Sequence, residues 1–238
     1  MSAENKTRID EWFVPKFGPM RFRVFVGLMF LPYTGMCVSF AIMGSMLASE
    51  VIWWDRLGAI VLIYILALGI SAHVADSLGS KKTKPWGSYF RKTQLLIIMG
   101  ASLTAAYAIG VYYIVFFVPL LAIIAVLEGF FLFTYNYEIW GGIFHNDFWF
   151  AVSWGSLPVL AGYIMQTNSI SIFALAIAAL TGLISYAEIT MSRPYKRLKQ
   201  RNGNDALTYR LEIGLKVLSV GTILFALSIL AVRIIIFS

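Results

Sequence analysis

Seven apolar runs, each about as long as a bilayer core is thick, leave this chain little freedom of architecture. They fall near 24–48, 54–76, 93–112, 113–135, 148–166, 170–191 and 212–237 of the 238 residues. Crossing a hydrocarbon core of ~30 Å takes about 20 helical residues, and in that medium only a helix or a closed barrel satisfies its own backbone. The reading is an all-α fold, a polytopic transmembrane helical bundle of about seven spans. Only Gly110, Tyr112 and Tyr113 mark the break between the third and fourth runs, so six and eight spans are the alternatives. Hydrophobic residues make up 59% of the chain and charged ones 13%, about half the ~25% charge of a soluble domain.

The first run starts after Pro15, Lys16, Pro19, Arg21 and Arg23, is long, and lacks a small-residue cleavage site, so residues 1–20 are expected to remain. Trp12, Phe13, Val14 and Phe17 lie among Asp10, Glu11 and Lys16, which suits an N-terminal interfacial segment over 1–20. Residues 21–238 then form a single transmembrane domain. Cys37, the one cysteine, sits inside an apolar run and reads as a small buried residue.

Cations settle the expected orientation, because cytoplasmic loops retain Lys and Arg. Sixteen of the nineteen fall before span one, between spans two and three, or between spans six and seven. The N-terminus is thus expected in the cytoplasm and the C-terminus outside a cytoplasmic membrane. This loop bias accounts for the net charge of +7, which therefore gives no case for nucleic acid as a partner. The same topology brings the ends of spans two, four and six to the cytoplasmic face, and the unusual polar residues stand at those ends.

His73 and Asp76, three apart on a helix, share a face suited to joint metal binding or to a His–Asp hydrogen bond. His145 and Asp147 precede span five, where Asn146 or Asp147 is expected to cap the helix. Glu128 is the most deeply placed acid and should face the bundle interior, as a cavity wall or a proton acceptor, with Tyr135 continuing its stripe. The basic loops holding Lys81, Lys84 and Arg193 suit either anionic lipid or the oxygens of a diphosphate. Neither a Walker loop, nor a His-Glu-x-x-His helix, nor a Gly-x-Ser-x-Gly elbow occurs.

Three stretches give the chain a family likeness: Arg21 to Ala48 with Leu31-Pro32-Tyr33 and Gly35, Ala72 to Pro85, and Tyr135 to Gln166 with Asn146-Asp147 and Trp154-Gly155-Ser156-Leu157-Pro158. Together they resemble the UbiA superfamily of intramembrane prenyltransferases, in particular its naphthoate-prenylating branch. The resemblance implies a lateral membrane cavity in which aspartates hold Mg²⁺ on an isoprenoid diphosphate while the prenyl group passes to a nucleophilic acceptor. Asp76 keeps the central aspartate of the first motif, whereas Ala72, His73 and Ser80 replace its other members; Glu188 is the sole carboxylate where the second motif belongs. The metal set implied is His73, Asp76, His145, Asp147 and Glu188. Imidazole in that set suits Mn²⁺, Zn²⁺ or Fe²⁺ better than Mg²⁺. Lys81, Lys84 and Arg193 would hold phosphate, Glu128 and Tyr135 would meet the acceptor, and Trp149 and Trp154 would face a developing cation. Two alternatives stand beside transfer: a non-catalytic subunit binding lipid or quinone, and a transition-metal enzyme built on the His/Asp pairs.

Overall fold

The computed structural model describes residues 8–48, 51–79, 86, 89–200 and 205–237. Within them the chain is all-helical: α1 (Met20–Leu28), α2 (Leu31–Met46), α3 (Trp54–Gly79), α4 (Lys92–Phe116), α5 (Leu121–Asn136), α6 (Asp147–Thr167), α7 (Ile172–Gln200) and α8 (Ala206–Phe237). Five of these, α3, α4, α6, α7 and α8, are long and apolar enough to cross a bilayer, and α1 with α2 makes a sixth across a 42° bend. The remaining expected span corresponds to α5, whose 16 residues rise only ~24 Å.

The bend between α1 and α2 has a local cause. Phe30 adopts φ +45° and breaks the helix, and Pro32 then restarts it near the first turn of α2, where its missing N–H costs nothing. Thr34 Oγ1 closes the break by donating to Met29 O at 2.6 Å. All but three of the sixteen α2 residues are buried, so this helix is the axis of the bundle. By contrast only 17% of the apolar window of α4 and of α8 is buried, and their Val, Leu, Ile and Phe side chains are left for lipid.

Small residues set the closest contact, that of α2 with α6. A Cβ on Gly44 would overlap the Val159 carbonyl oxygen, and one on Gly162 would overlap that of Ala41. Backbones meet this closely only where side chains vanish. Ser45 Oγ, fully buried, lies within hydrogen-bonding distance of both Ala41 O (3.0 Å) and Gly162 O (3.2 Å). Cys37 is buried as expected, its thiol donating to Trp154 O at 3.2 Å.

Two helices carry a π-helical stretch, Ile65–Ala72 in α3 and Val152–Ser156 in α6. Each inserts a wide turn that rotates the remainder of its helix, a distortion found chiefly at functional sites. Ser71 Oγ supports the first by reaching Leu66 O (3.0 Å), Met99 O (3.2 Å) and Ser102 Oγ (2.6 Å). Asn146 caps α6, accepting from Trp149 N at 3.0 Å, and Asp147 is thereby left for another role.

Residues 8–19 fold onto the bundle. Ile9, Val14 and Glu11 are buried while Phe17 projects outward. Glu11 is the anchor: its Oε2 accepts from Tyr195 OH (2.9 Å) and Lys199 Nζ (3.1 Å), and its Oε1 pairs with Arg8 Nε (3.4 Å). Glu212 of α8 joins the same cluster, accepting from Tyr195 OH (3.0 Å) and Lys216 Nζ (2.6 Å).

Candidate functional site

α7 is longer than the apolar pattern implies. The helix continues through Pro194 to Gln200, so Arg193 and Lys196, expected in a loop, are helical. Ile189, Arg193 and Lys196 then fall at i, i+4 and i+7 on one face, and all three line a cavity of about 250 Å³ at one end of the bundle. Glu188, Ser192 and Tyr195 form the adjacent face and line a smaller pocket beside it.

The larger cavity gathers the ends of three helices. His73 and Asp76 come from α3, just past its π-helical stretch; Tyr135 and Asn136 end α5; Phe150 and Trp154 come from the start of α6, with His145 from the loop before it. Arg8 reaches in from the N-terminal segment. Its guanidinium lies 4.6 Å from the ring centroid of Phe30 and 5.3 Å from that of Trp86, so a face of the cation is occupied by aromatic quadrupoles. Lys196 Nζ sits 5.3 Å from the Phe30 centroid and 5.7 Å from that of Tyr33. Arg193 Nε pairs with Asp147 Oδ1 at 2.9 Å, while its Nη2 is buried without a hydrogen-bond partner among the described residues. Three cations thus surround one hollow.

Opposite them the wall is aromatic. His73 lies between Phe30 (5.6 Å) and Trp154 (4.9 Å), and Trp154 is stacked on Phe150 with planes 8° apart. His73 Nε2 is buried and has no hydrogen-bond partner among the described residues. An orphaned ring nitrogen at a cavity wall costs stability and is kept where something else is to meet it. His145 is engaged, with Nδ1 2.9 Å from Tyr135 O and its ring against that of Tyr135. The loop before it is strained, with positive φ at Glu138 and Trp140.

Of the residues expected at a site, His73, Asp76, Tyr135, His145, Trp154 and Arg193 share this cavity. Asp147 stands behind Arg193 as its counter-ion, and Glu188 belongs to the adjoining pocket. Trp149 packs instead on Phe131 and Phe144. Glu128 does not line the cavity; it lines an apolar groove beside it. Lys81 and Lys84 lie outside the described residues. The metal set does not converge: among the described residues no three His, Cys, Asp or Glu side chains are placed to hold one ion, and Asp147 is committed to Arg193.

Arg8 and Lys196 were not singled out from sequence. For Lys196 the signal existed, in the i, i+4, i+7 spacing of Ile189, Arg193 and Lys196 across Pro194. Arg8 gave none, because its place depends on the fold of the N-terminal segment.

Fold and cavity together fit a multi-pass helical membrane protein with a hollow at one end of its bundle lined by cations and aromatic rings. Set beside known protein families, curated proteins and solved structures, the chain matches none of them.

Proposed function

We propose that the chain is a UbiA-like intramembrane transferase that takes an isoprenoid diphosphate, or a related anionic lipid, by its headgroup at the cytoplasmic face. The observation that carries this reading is the convergence of Arg8, Arg193 and Lys196 on one cavity whose other wall is aromatic. Guanidinium and ammonium groups meet phosphate oxygens with short, charge-assisted bonds. The volume, roughly eight waters' worth at ~30 Å³ each, suits a headgroup and the first carbons of its chain. In this reading side-chain cations take over the charge neutralisation that carboxylate-held Mg²⁺ would supply.

The residues fit a dissociative transfer. The bond between the first prenyl carbon and the diphosphate oxygen breaks, and its electron pair leaves with the diphosphate, whose added charge the three cations stabilise. The allylic cation faces Trp154, Phe150 and Tyr33, whose ring faces attract positive charge. A nucleophilic atom of the acceptor bonds to that carbon, and the proton it releases passes to His73 Nε2, the wall nitrogen left without a partner among the described residues. Tyr135 and Asp76 complete the wall where the acceptor would stand.

A binding-only subunit is the second reading. It is favoured by the donor set itself, since cations and aromatic rings suffice to hold an anionic lipid.

Protein in lipid nanodiscs, titrated with farnesyl diphosphate and with geranylgeranyl diphosphate, tests both. Binding should persist in excess chelator and weaken about tenfold or more in Arg193→Met and in Lys196→Met, as loss of a charge-assisted bond of about 1.5–3 kcal/mol requires. No binding, or binding only with added divalent metal, refutes the proposal. Binding without diphosphate release in the presence of phenolic or other hydroxylated acceptors selects the second reading.

A further inference from the structure

A second hollow, of about 60 Å³, lies along the bundle where α3, α4 and α5 meet, and its lining is apolar save for Glu128, Tyr64 and Tyr107. Small residues make the room: Ala106 and Gly110 on α4, Ala125 and Gly129 on α5. Tyr107 is part-exposed and its hydroxyl is seated against Gly129. Both tyrosine protons are committed. Tyr64 OH donates to Glu128 Oε1 at 3.0 Å, and Tyr107 OH donates to Ala125 O at 2.9 Å. Glu128 Oε2 is buried and, among the described residues, has no hydrogen-bond partner. No described cation lines the groove around this carboxyl.

A buried carboxyl oxygen without a described partner at the wall of an apolar groove suits a ligand's polar atom as that partner, once the side chain turns toward the groove. We infer that the groove binds a neutral, otherwise apolar molecule carrying one hydroxyl, such as an alkylphenol or long-chain alcohol, with that hydroxyl on Glu128 Oε2. A hydroxyl serves the carboxyl in either protonation state, as donor to a carboxylate and as acceptor from a carboxylic acid. An anionic ligand is disfavoured, because the groove lining offers it no counter-ion. A hollow of about 60 Å³ takes the hydroxyl end, and the apolar remainder lies outward along the groove into the bilayer, which the many lipid-facing side chains of α4 put beside it.

Position adds a consequence. A void of about 10 Å³, lined by Glu128 and Leu132 on one side and Tyr135 and Trp154 on the other, lies between groove and cationic cavity. A molecule seated on Glu128 is therefore a neighbour of whatever the cavity holds. The binding claim does not rest on the transfer reading; it stands whether or not the cavity is catalytic.

The test uses full-length protein in nanodiscs and a diazirine-bearing 4-alkylphenol, compared with the same molecule lacking its hydroxyl. The phenol should crosslink to residues 103–132 with about three- to tenfold preference over the hydrocarbon, the weight of one hydrogen bond. The preference should survive in Glu128→Gln, which keeps both donor and acceptor, and vanish in Glu128→Leu. Equal labelling by the two probes, crosslinks confined to residues 28–33 and 189–196, or a preference retained in Glu128→Leu would each overturn the proposal. The native protein decides by the first two readouts even where a variant does not fold. Farnesyl diphosphate binding, measured in parallel, reports on the cavity alone, so failure of either claim is visible separately.

Discussion

Replacing Glu11 by Gln tests whether the N-terminal segment is a built part of the bundle. The side chain is 4% exposed and receives two hydrogen bonds from α7, Tyr195 OH at 2.9 Å and Lys199 Nζ at 3.1 Å. A surface ion pair would contribute at most about 1 kcal/mol, whereas hydrogen bonds to a buried charge contribute about 1.5–3 kcal/mol. Two features lower the figure here: Lys199 is one-third exposed, and both donors keep Glu212 within reach, at 3.0 and 3.5 Å. The expected loss is about 2 kcal/mol, which for a chain of this size lowers the melting temperature by roughly 4–8 °C. Thermal unfolding followed by size-exclusion chromatography in detergent measures it, and tryptic cleavage after Lys16 or Arg21 should quicken in step. A shift below ~1 °C with unchanged cleavage would show that Glu11 does not hold the segment. A double-mutant cycle with Glu212→Gln should give a coupling above about 0.5 kcal/mol, since the two acids share donors.

Gly162→Val should abolish folded, monodisperse protein because its side chain would enter the Ala41 backbone, whereas Gly58→Ala, with nothing within 4 Å, should raise stability by about 0.5–1 kcal/mol; expression with chromatographic profile and melting temperature read the two. His73→Phe should leave the melting temperature unchanged or higher, as an orphaned polar atom between two rings is removed, and should leave farnesyl diphosphate binding intact while slowing diphosphate release in the presence of a hydroxylated acceptor; a fall in stability would mean His73 has a structural partner. Asp205 begins α8, accepting from Thr208 N (2.8 Å) and Oγ1 (2.7 Å), which holds its carboxyl below the usual aspartate value. Its contribution is thus present above the unfolded pKa of about 3.9 and fades as pH falls through the lower folded value. Amide exchange at Leu207 and Thr208 should accelerate between about pH 5 and 3 relative to mid-helix amides, and Asp205→Asn should remove the dependence.

How much was legible in the sequence turns on the physical origin of each feature. Helical class and the presence of several membrane-long helices were legible because a bilayer penalises every unsatisfied backbone group, whereas the break expected at Gly110, Tyr112 and Tyr113 falls instead after Phe116, and the helix that follows is only 16 residues long. That His73, Asp76, Tyr135, His145 and Arg193 share one hollow was legible because loop charge fixes which helix ends meet. Three things were not. The apolar run of span six ends at 191, yet α7 continues through Pro194 to Gln200, so the basic stretch from Arg193 onward was counted with a loop. Asp147 was read as a ligand because its partner, Arg193, is 46 residues away and only folding reveals the pair. The place of Glu128 depends on Tyr64 and on glycines that open a groove, and no periodicity in the sequence announces a space.

The two π-helical stretches act as register spacers. A helix turns by about 100° per residue, so winding Ile65–Ala72 as ordinary α-helix with every residue kept would swing His73 and Asp76 a quarter-turn or more around the axis of α3. Ordinary winding through Val152–Ser156, again with every residue kept, would do the same to the far end of α6, carrying Gly162 off the seam it shares with Ala41. One surplus residue in each of two helices thus lets a single chain satisfy two demands at once, a tight seam at one end of the molecule and a hollow at the other.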